Sequence, residues 1–138
     1  MLKLGGYINI LIAIAHIFGL FWAEQMFAVT GVRKEMDELA QFHSALPYLL
    51  TVFVSIFFFV FGLYGLSAAG KFKKLPLLEL GIFSIAGIYI FRGLYGLIVG
   101  LSIKKTNFLL ETLFSLAALA IGLLFLIGGI KKWNLIKD

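Results

Sequence analysis

Seven side chains in this chain have the chemistry to bind or react: Arg92, Glu111, Glu24, His16, His43, Tyr89 and Tyr95. A guanidinium can anchor an anion and two carboxylates can set its charge balance. Imidazoles move protons near neutral pH. Phenols add hydrogen bonds. Six of the seven belong to long apolar runs, and His43 lies just before one of them. Arg92 stands about two-thirds of the way along the run from Leu77 to Leu101. A guanidinium at membrane depth costs from about 2.5 to more than 10 kcal/mol unless it faces protein or water and finds a partner. The expectation is a polar pocket inside a membrane bundle.

The residue types exclude several chemistries. There are no cysteines, so disulfides, thiolate metal sites and iron–sulfur clusters are ruled out. His16, His43, Glu24 and Glu111 are suitable ligand types for zinc or iron. However, no HxxxH, ExxH or HxH pair puts two of them on one helical turn, so no metal is expected. Bis-histidine haem requires two ligands at one depth. His16 falls about 16 Å below the outer end of its helix at 1.5 Å per residue, whereas His43 precedes the next span. No cofactor is expected. No phosphate loop, G-x-S-x-G or HExxH motif occurs.

The elements that must position these residues follow from composition. The chain has 138 residues, 62% hydrophobic and 14% charged, with a mean hydropathy of +1.04. Soluble domains are roughly 45–50% apolar and about 25% charged. Four runs reach the roughly 20 residues a helical span needs: Gly5–Phe27, Leu46–Ala69, Leu77–Leu101 and Phe108–Ile130. Short links between the last three force antiparallel neighbours. The predicted fold is therefore all-α, a single integral membrane domain built as an up-down-up-down four-helix bundle. The N-terminal run resembles a signal peptide, but it is too long and carries His16 and Glu24, so it reads as a retained span.

The long first loop carries Val32, Met36, Leu39 and Phe42 or His43 at helical spacing, which predicts an amphipathic helix over about 32–43. The alternatives are an upward extension of the second span bent near Pro47, or a solvated connector. The net charge of +5 comes from short Lys and Arg clusters flanking the spans. This points to lipid headgroups rather than nucleic acid as partner. Lys3, Lys71, Lys73, Lys74, Lys131, Lys132 and Lys137 lie on the termini side, against Arg33, Lys34, Lys104 and Lys105 opposite. That bias predicts that both termini are cytoplasmic.

Helical wheels then align the polar residues. Asn9, His16 and Glu24 share a face of the first span, beside an Ala15, Gly19, Ala23 ridge of small residues. His43, Pro47, Thr51 and Ser55 step by four in the second. Tyr89, Arg92, Tyr95 and Gly96 share a face of the third, and Asn107, Glu111 and Ser115 step by four in the fourth. Antiparallel packing brings Glu24, His43, Glu111, Arg92 and His16 into the outer half of the membrane. Such a pocket suits a small amphipathic or anionic ligand. Two other readings remain open. The same residues could be structural ion pairs in an accessory or assembly subunit, or line a membrane enzyme acting on a lipid or isoprenoid-like substrate. The small-residue ridges also offer surfaces for a homo-oligomer.

The stretch from Gly62 through Leu78, containing Leu63-Tyr-Gly-Leu-Ser-Ala-Ala-Gly70 and Leu75-Pro-Leu-Leu78, continues to Ile88-Tyr-Ile-Phe-Arg-Gly-Leu94. It resembles a group of small bacterial four-helix membrane proteins and sets Arg92 on the matching Arg of their pattern. The resemblance covers roughly the middle third of the chain and implies a fold but no activity, substrate or cofactor. The overall format also looks like DoxX-type membrane proteins, with no motif that carries residues across.

Overall fold

The computed structural model describes residues 1–30, 32–102 and 108–133. Lys104, Lys105, Asn107 and Lys137, used above for charge and face assignments, lie outside the described residues. In chain order the helices are α1 (Leu2–Gly19), α2 (Ala23–Thr30), α3 (Arg33–Phe42), α4 (Leu46–Ala68), α5 (Leu78–Ser102) and α6 (Phe108–Trp133). A 3₁₀ turn, Leu20–Trp22, joins α1 to α2. Four stretches are long and apolar enough to cross a membrane: Leu2–Val29, Leu46–Ala68, Leu78–Ser102 and Leu109–Trp133. The molecule is an all-helical, multi-pass membrane protein.

Helix ends follow local chemistry. Pro47 sits in the first turn of α4, where a missing N–H leaves nothing unpaired. At the other end Gly70 adopts φ +74°. The Lys71 N–H bonds to Leu66 O at 2.9 Å and the Gly70 N–H to Ser67 O at 3.1 Å. This is the six-to-one, five-to-two pattern that closes a helix with a left-handed residue, and glycine takes that conformation without a Cβ penalty. The first span departs from a single straight helix at the 3₁₀ turn that follows Gly19. A Cβ on Gly19 would collide with Met26 Sδ, so the thioether folds back across the 3₁₀ turn. In α6 the helix continues past Ile130 to Trp133, with Lys131 and Lys132 in its last turn complementing the helix dipole.

Small residues decide which helices approach closely. A Cβ on Gly6 would lie 2.9 Å from both Gly62 O and Leu66 N, and one on Gly65 would lie 2.8 Å from Gly6 Cα. α1 and α4 are thus in backbone contact. The approach lies lower in α1 than the Ala15–Gly19–Ala23 ridge, and Ala15 is exposed. α5 and α6 pair in the same way, with Gly93 and Gly96 against Ser115 and Leu119, and Gly122 against Ile90. The two pairs meet across larger side chains, with Phe125, Ile82, Ile85, Tyr89 and Ile121 at the centre. Gly5 leaves room for the Phe125 ring, which a Cβ would meet at 2.8 Å.

These contacts distinguish packing glycines from idle ones. Gly6→Leu forces side-chain atoms into the α4 backbone and should cost about 1–3 kcal/mol or more by overpacking. Gly87 has nothing within 4 Å of its Cβ direction, so Gly87→Leu should not destabilise and should gain up to about 1 kcal/mol of helix propensity. Thermal unfolding in detergent, followed by circular dichroism, measures both. Equal melting of the two variants would show that α1 and α4 do not touch at Gly6.

Candidate functional site

The deepest polar groups lie between the two helix pairs. Asn9 is fully buried on α1 and Tyr89 nearly so on α5. The Tyr89 hydroxyl donates to Asn9 Oδ1, while Asn9 Nδ2 donates to Gly5 O at 2.8 Å. Phe58 and Phe61 of α4 enclose the Tyr89 ring, with centroids at 6.4 and 6.2 Å. Ser55 Oγ donates across the α1–α4 contact to Ala13 O at 2.8 Å. Among the described residues no buried side-chain nitrogen or oxygen lacks a partner. In hydrocarbon that satisfaction is required, because no water is present to replace a missing bond.

A second polar feature opens nearer the α3 end. A cavity of about 200 Å³ is bounded by His16, Met26, Val32, Met36, Leu50 and Thr51, together with Phe27 and Val54. Helix α3 roofs it. Val32, Met36 and Leu39 are half-buried on the inner side of α3, whereas Arg33, Lys34, Glu35, Asp37 and Glu38 are exposed. Arg33 and Asp37 form an exposed ion pair at 3.9 Å. Phe42 is 85% exposed and so lies off the roof's apolar face. His16 Nδ1 lies 2.8 Å from Ile12 O. That contact needs the proton on Nδ1, so in the neutral ring Nε2 is a hydrogen-bond acceptor. The ring rests on Phe58 with centroids 5.0 Å apart. Thr51 Oγ1 donates to Pro47 O at 2.9 Å, so its hydroxyl hydrogen is already used.

The remaining candidates are dispersed. Arg92 is exposed on α5 and runs toward the α3 end, its Nη1 2.8 Å from where a Gly96 Cβ would stand. Ser115 Oγ of α6 borders the same space. A guanidinium reaching along its helix in this direction moves its charge toward the interface, the snorkelling expected of a long basic side chain. Among the described residues Arg92 has no ion pair with Glu24 or Glu111. Glu111 is half-buried and makes an interaction of its own. Glu24 is exposed on α2. Tyr95 is exposed and stacks on Phe91 at 6.3 Å.

His43 shapes a turn. Its Nδ1 accepts the Ala45 N–H at 3.1 Å and its carbonyl accepts the Leu46 N–H at 3.1 Å. These bonds separate α3 from α4, so the loop helix is a distinct element and not an extension of the second span. No group of three or more His, Asp or Glu side chains suited to a metal ion occurs among the described residues.

The structure thus links Tyr89 to Asn9 at the centre, places His16 at a small cavity between α1 and α4, and sets Arg92 with Ser115 on the α5–α6 flank. Asn9, Met26, Met36 and Thr51 are the residues that reasoning from spacing left out of the site. Asn9 carried a signal, since it is the sole amide in the lower half of the first span. The fold and these sites define a helical, four-span membrane protein. Comparison with protein-family models, with curated proteins and with solved structures returns no match.

Removing the Tyr89 hydroxyl leaves Asn9 Oδ1 buried and unpaired. Tyr89→Phe should therefore destabilise the bundle by about 1–3 kcal/mol. Adding Asn9→Leu should recover part of that loss, since neither polar partner then remains. A double-mutant cycle by unfolding in detergent reads the coupling, and strictly additive losses would show that the two side chains do not interact.

Proposed function

We propose that this membrane protein binds the headgroup of a small amphipathic ligand in the cavity beneath α3, with His16 as its hydrogen-bond acceptor. The observation carrying the reading is the fixed imidazole, tied through Nδ1 to Ile12 O at the wall of an otherwise mostly apolar cavity. At about 200 Å³ the space falls below the roughly 300–1,000 Å³ of pockets that enclose a drug-sized ligand. It suits one hydroxylated ring or a short polar head, the ligand's tail lying between helices or in lipid. A hydroxyl donor complements His16 Nε2. An anionic head would find its cation elsewhere, since Arg92 stands on α5 while the cavity lies among α1, α2, α3 and α4.

The test is binding of decylhydroquinone, a hydroxylated ring with an alkyl tail, to purified protein by native mass spectrometry. Wild type should retain the quinol, and His16→Phe should lose at least about tenfold in affinity, the factor carried by a 1.4 kcal/mol hydrogen bond. Helicity and melting should be unchanged. No retention by wild type, or equal retention by His16→Phe, overturns the reading.

A second reading has its own support. The buried polar side chains Asn9, Ser55 and Thr51 are all satisfied within the chain. That is what an accessory or assembly subunit, with polar groups serving only helix packing, would require. Retention of fold together with failure to bind any amphipath favours this role.

The proposed location is a bacterial inner membrane, as the resemblance of the middle third implies, with both termini cytoplasmic, an orientation supported by the seven-to-four excess of basic residues on the termini side. A C-terminal fusion to a fluorescent protein that matures only in the cytoplasm should glow. A dark fusion of normal abundance would reverse the topology.

A further inference from the structure

At the opposite end of the bundle from α3, the connection between α4 and α5 is a built structure. Ser67 Oγ donates to Lys73 O at 2.7 Å and accepts the Leu75 N–H at 3.0 Å. The Tyr64 hydroxyl donates to Pro76 O at 3.2 Å. Leu75 packs against the core. Leu77 then enters α5 with φ +50°, a left-handed conformation uncommon for leucine, and its carbonyl accepts the Gly81 N–H at 2.8 Å. Three side-chain hydrogen bonds from α4 thus fix where Phe72 and Lys74 stand.

What this loop shapes is a cleft of about 960 Å³ between it, the start of α5 and the end of α6. Its lining combines the polar Ser67, Lys74, Glu79 and Lys132 with the apolar Leu80, Phe83 and Trp133. Phe83 and Trp133 pack with centroids 6.0 Å apart, and Lys132 Nζ stands 5.6 Å from the Trp133 ring. Lys132 also borders a second depression lined by Lys3 and Lys131. Among the described residues this end carries Lys3, Lys71, Lys73, Lys74, Lys131 and Lys132 against the carboxylate of Glu79. Leu80 is 62% exposed at the cleft, continuing the apolar wall onto the outside of the bundle.

We propose that this cleft is a binding site for an anionic phospholipid. The phosphate lies between Lys74 and Lys132, the glycerol region lies beside Trp133, and an acyl chain follows Phe83 and Leu80 down the bundle. Charge complementarity argues for the occupant. A zwitterionic headgroup brings no net charge to this lysine-rich end, whereas an anionic one is attracted by each nearby lysine. The mixed lining argues for a lipid over a soluble phosphate, because an acyl chain covers the exposed Leu80 and the neighbouring Phe83, which a phosphate alone leaves bare.

Native mass spectrometry of the full chain, released from nanodiscs of equimolar phosphatidylglycerol and phosphatidylcholine with matched chains, tests this directly. Wild type should keep phosphatidylglycerol in preference, and raised salt before release should weaken that preference by screening. Lys74→Gln and Lys132→Gln should each reduce it by about fivefold. The same change at Lys34, on α3, should leave it intact. Should the double variant fail to fold, the wild-type comparison of the two lipids still decides. Equal retention of both lipids, an undiminished preference in the folded double variant, or full displacement of phosphatidylglycerol by millimolar glycerol 3-phosphate overturns the proposal.

Discussion

A polar side chain within a bilayer has to be answered by the protein itself, and in this chain the answer at the centre is the bond from Tyr89 to Asn9. Two helix pairs each close on their own small residues, α1 on α4 through Gly6, Gly62 and Gly65, and α5 on α6 through Gly93, Gly96 and Gly122. Between the pairs larger side chains dominate, with Phe125 seated on Gly5 and Leu2 on Gly128. The Asn9–Tyr89 bond joins a residue of one pair to a residue of the other. In lipid the helices gain nothing from hydrophobic burial, so packing and such bonds set their mutual rotation. Removing either partner loosens the register of the whole bundle and not just one contact.

That rotation distributes the remaining polar groups. With Tyr89 turned inward, Arg92 falls on the α6 side of α5, near Ser115. With Asn9 inward, His16 looks toward α4 and the roof made by α3. The two ends of the molecule are consequently unlike. One carries a small, largely apolar cavity with a single imidazole, closed by an amphipathic helix. The other carries a wide, lysine-rimmed cleft shaped by a loop that Ser67 and Tyr64 hold down. The proposed ligand site and the proposed lipid site share no residue.

The sequence made the spans legible because hydrocarbon imposes a length and a composition on any helix that crosses it. The loop helix was legible too, from Val32, Met36 and Leu39 at helical spacing. Partnerships were less so. Asn9 and Tyr89 each stood out on a helical wheel, but a wheel gives the faces of one helix and says nothing of which face of another it meets. Depth counting put Arg92 and Glu111 in the same half of the membrane without revealing the flank each occupies. The small-residue ridge was seen at Ala15, Gly19 and Ala23, whereas close approach occurs at Gly6. Two backbones meet where both helices lack side chains at one level, and that needs the partner's Gly62 and Gly65. The roles of His43 and Ser67 were hidden for a different reason: each depends on a turn of the backbone that no periodicity describes.

The central claim, that an amide and a phenol bridge the two helix pairs within the membrane, is tested most directly by solid-state NMR in lipid bilayers. Protein labelled with carbon-13 in Tyr and Asn should show, at short mixing times, a cross-peak between a tyrosine Cζ and an asparagine Cγ. It should vanish in Tyr89→Phe. A spectrum with well-resolved intraresidue peaks and no such cross-peak, or one unchanged by Tyr89→Phe, would contradict the account.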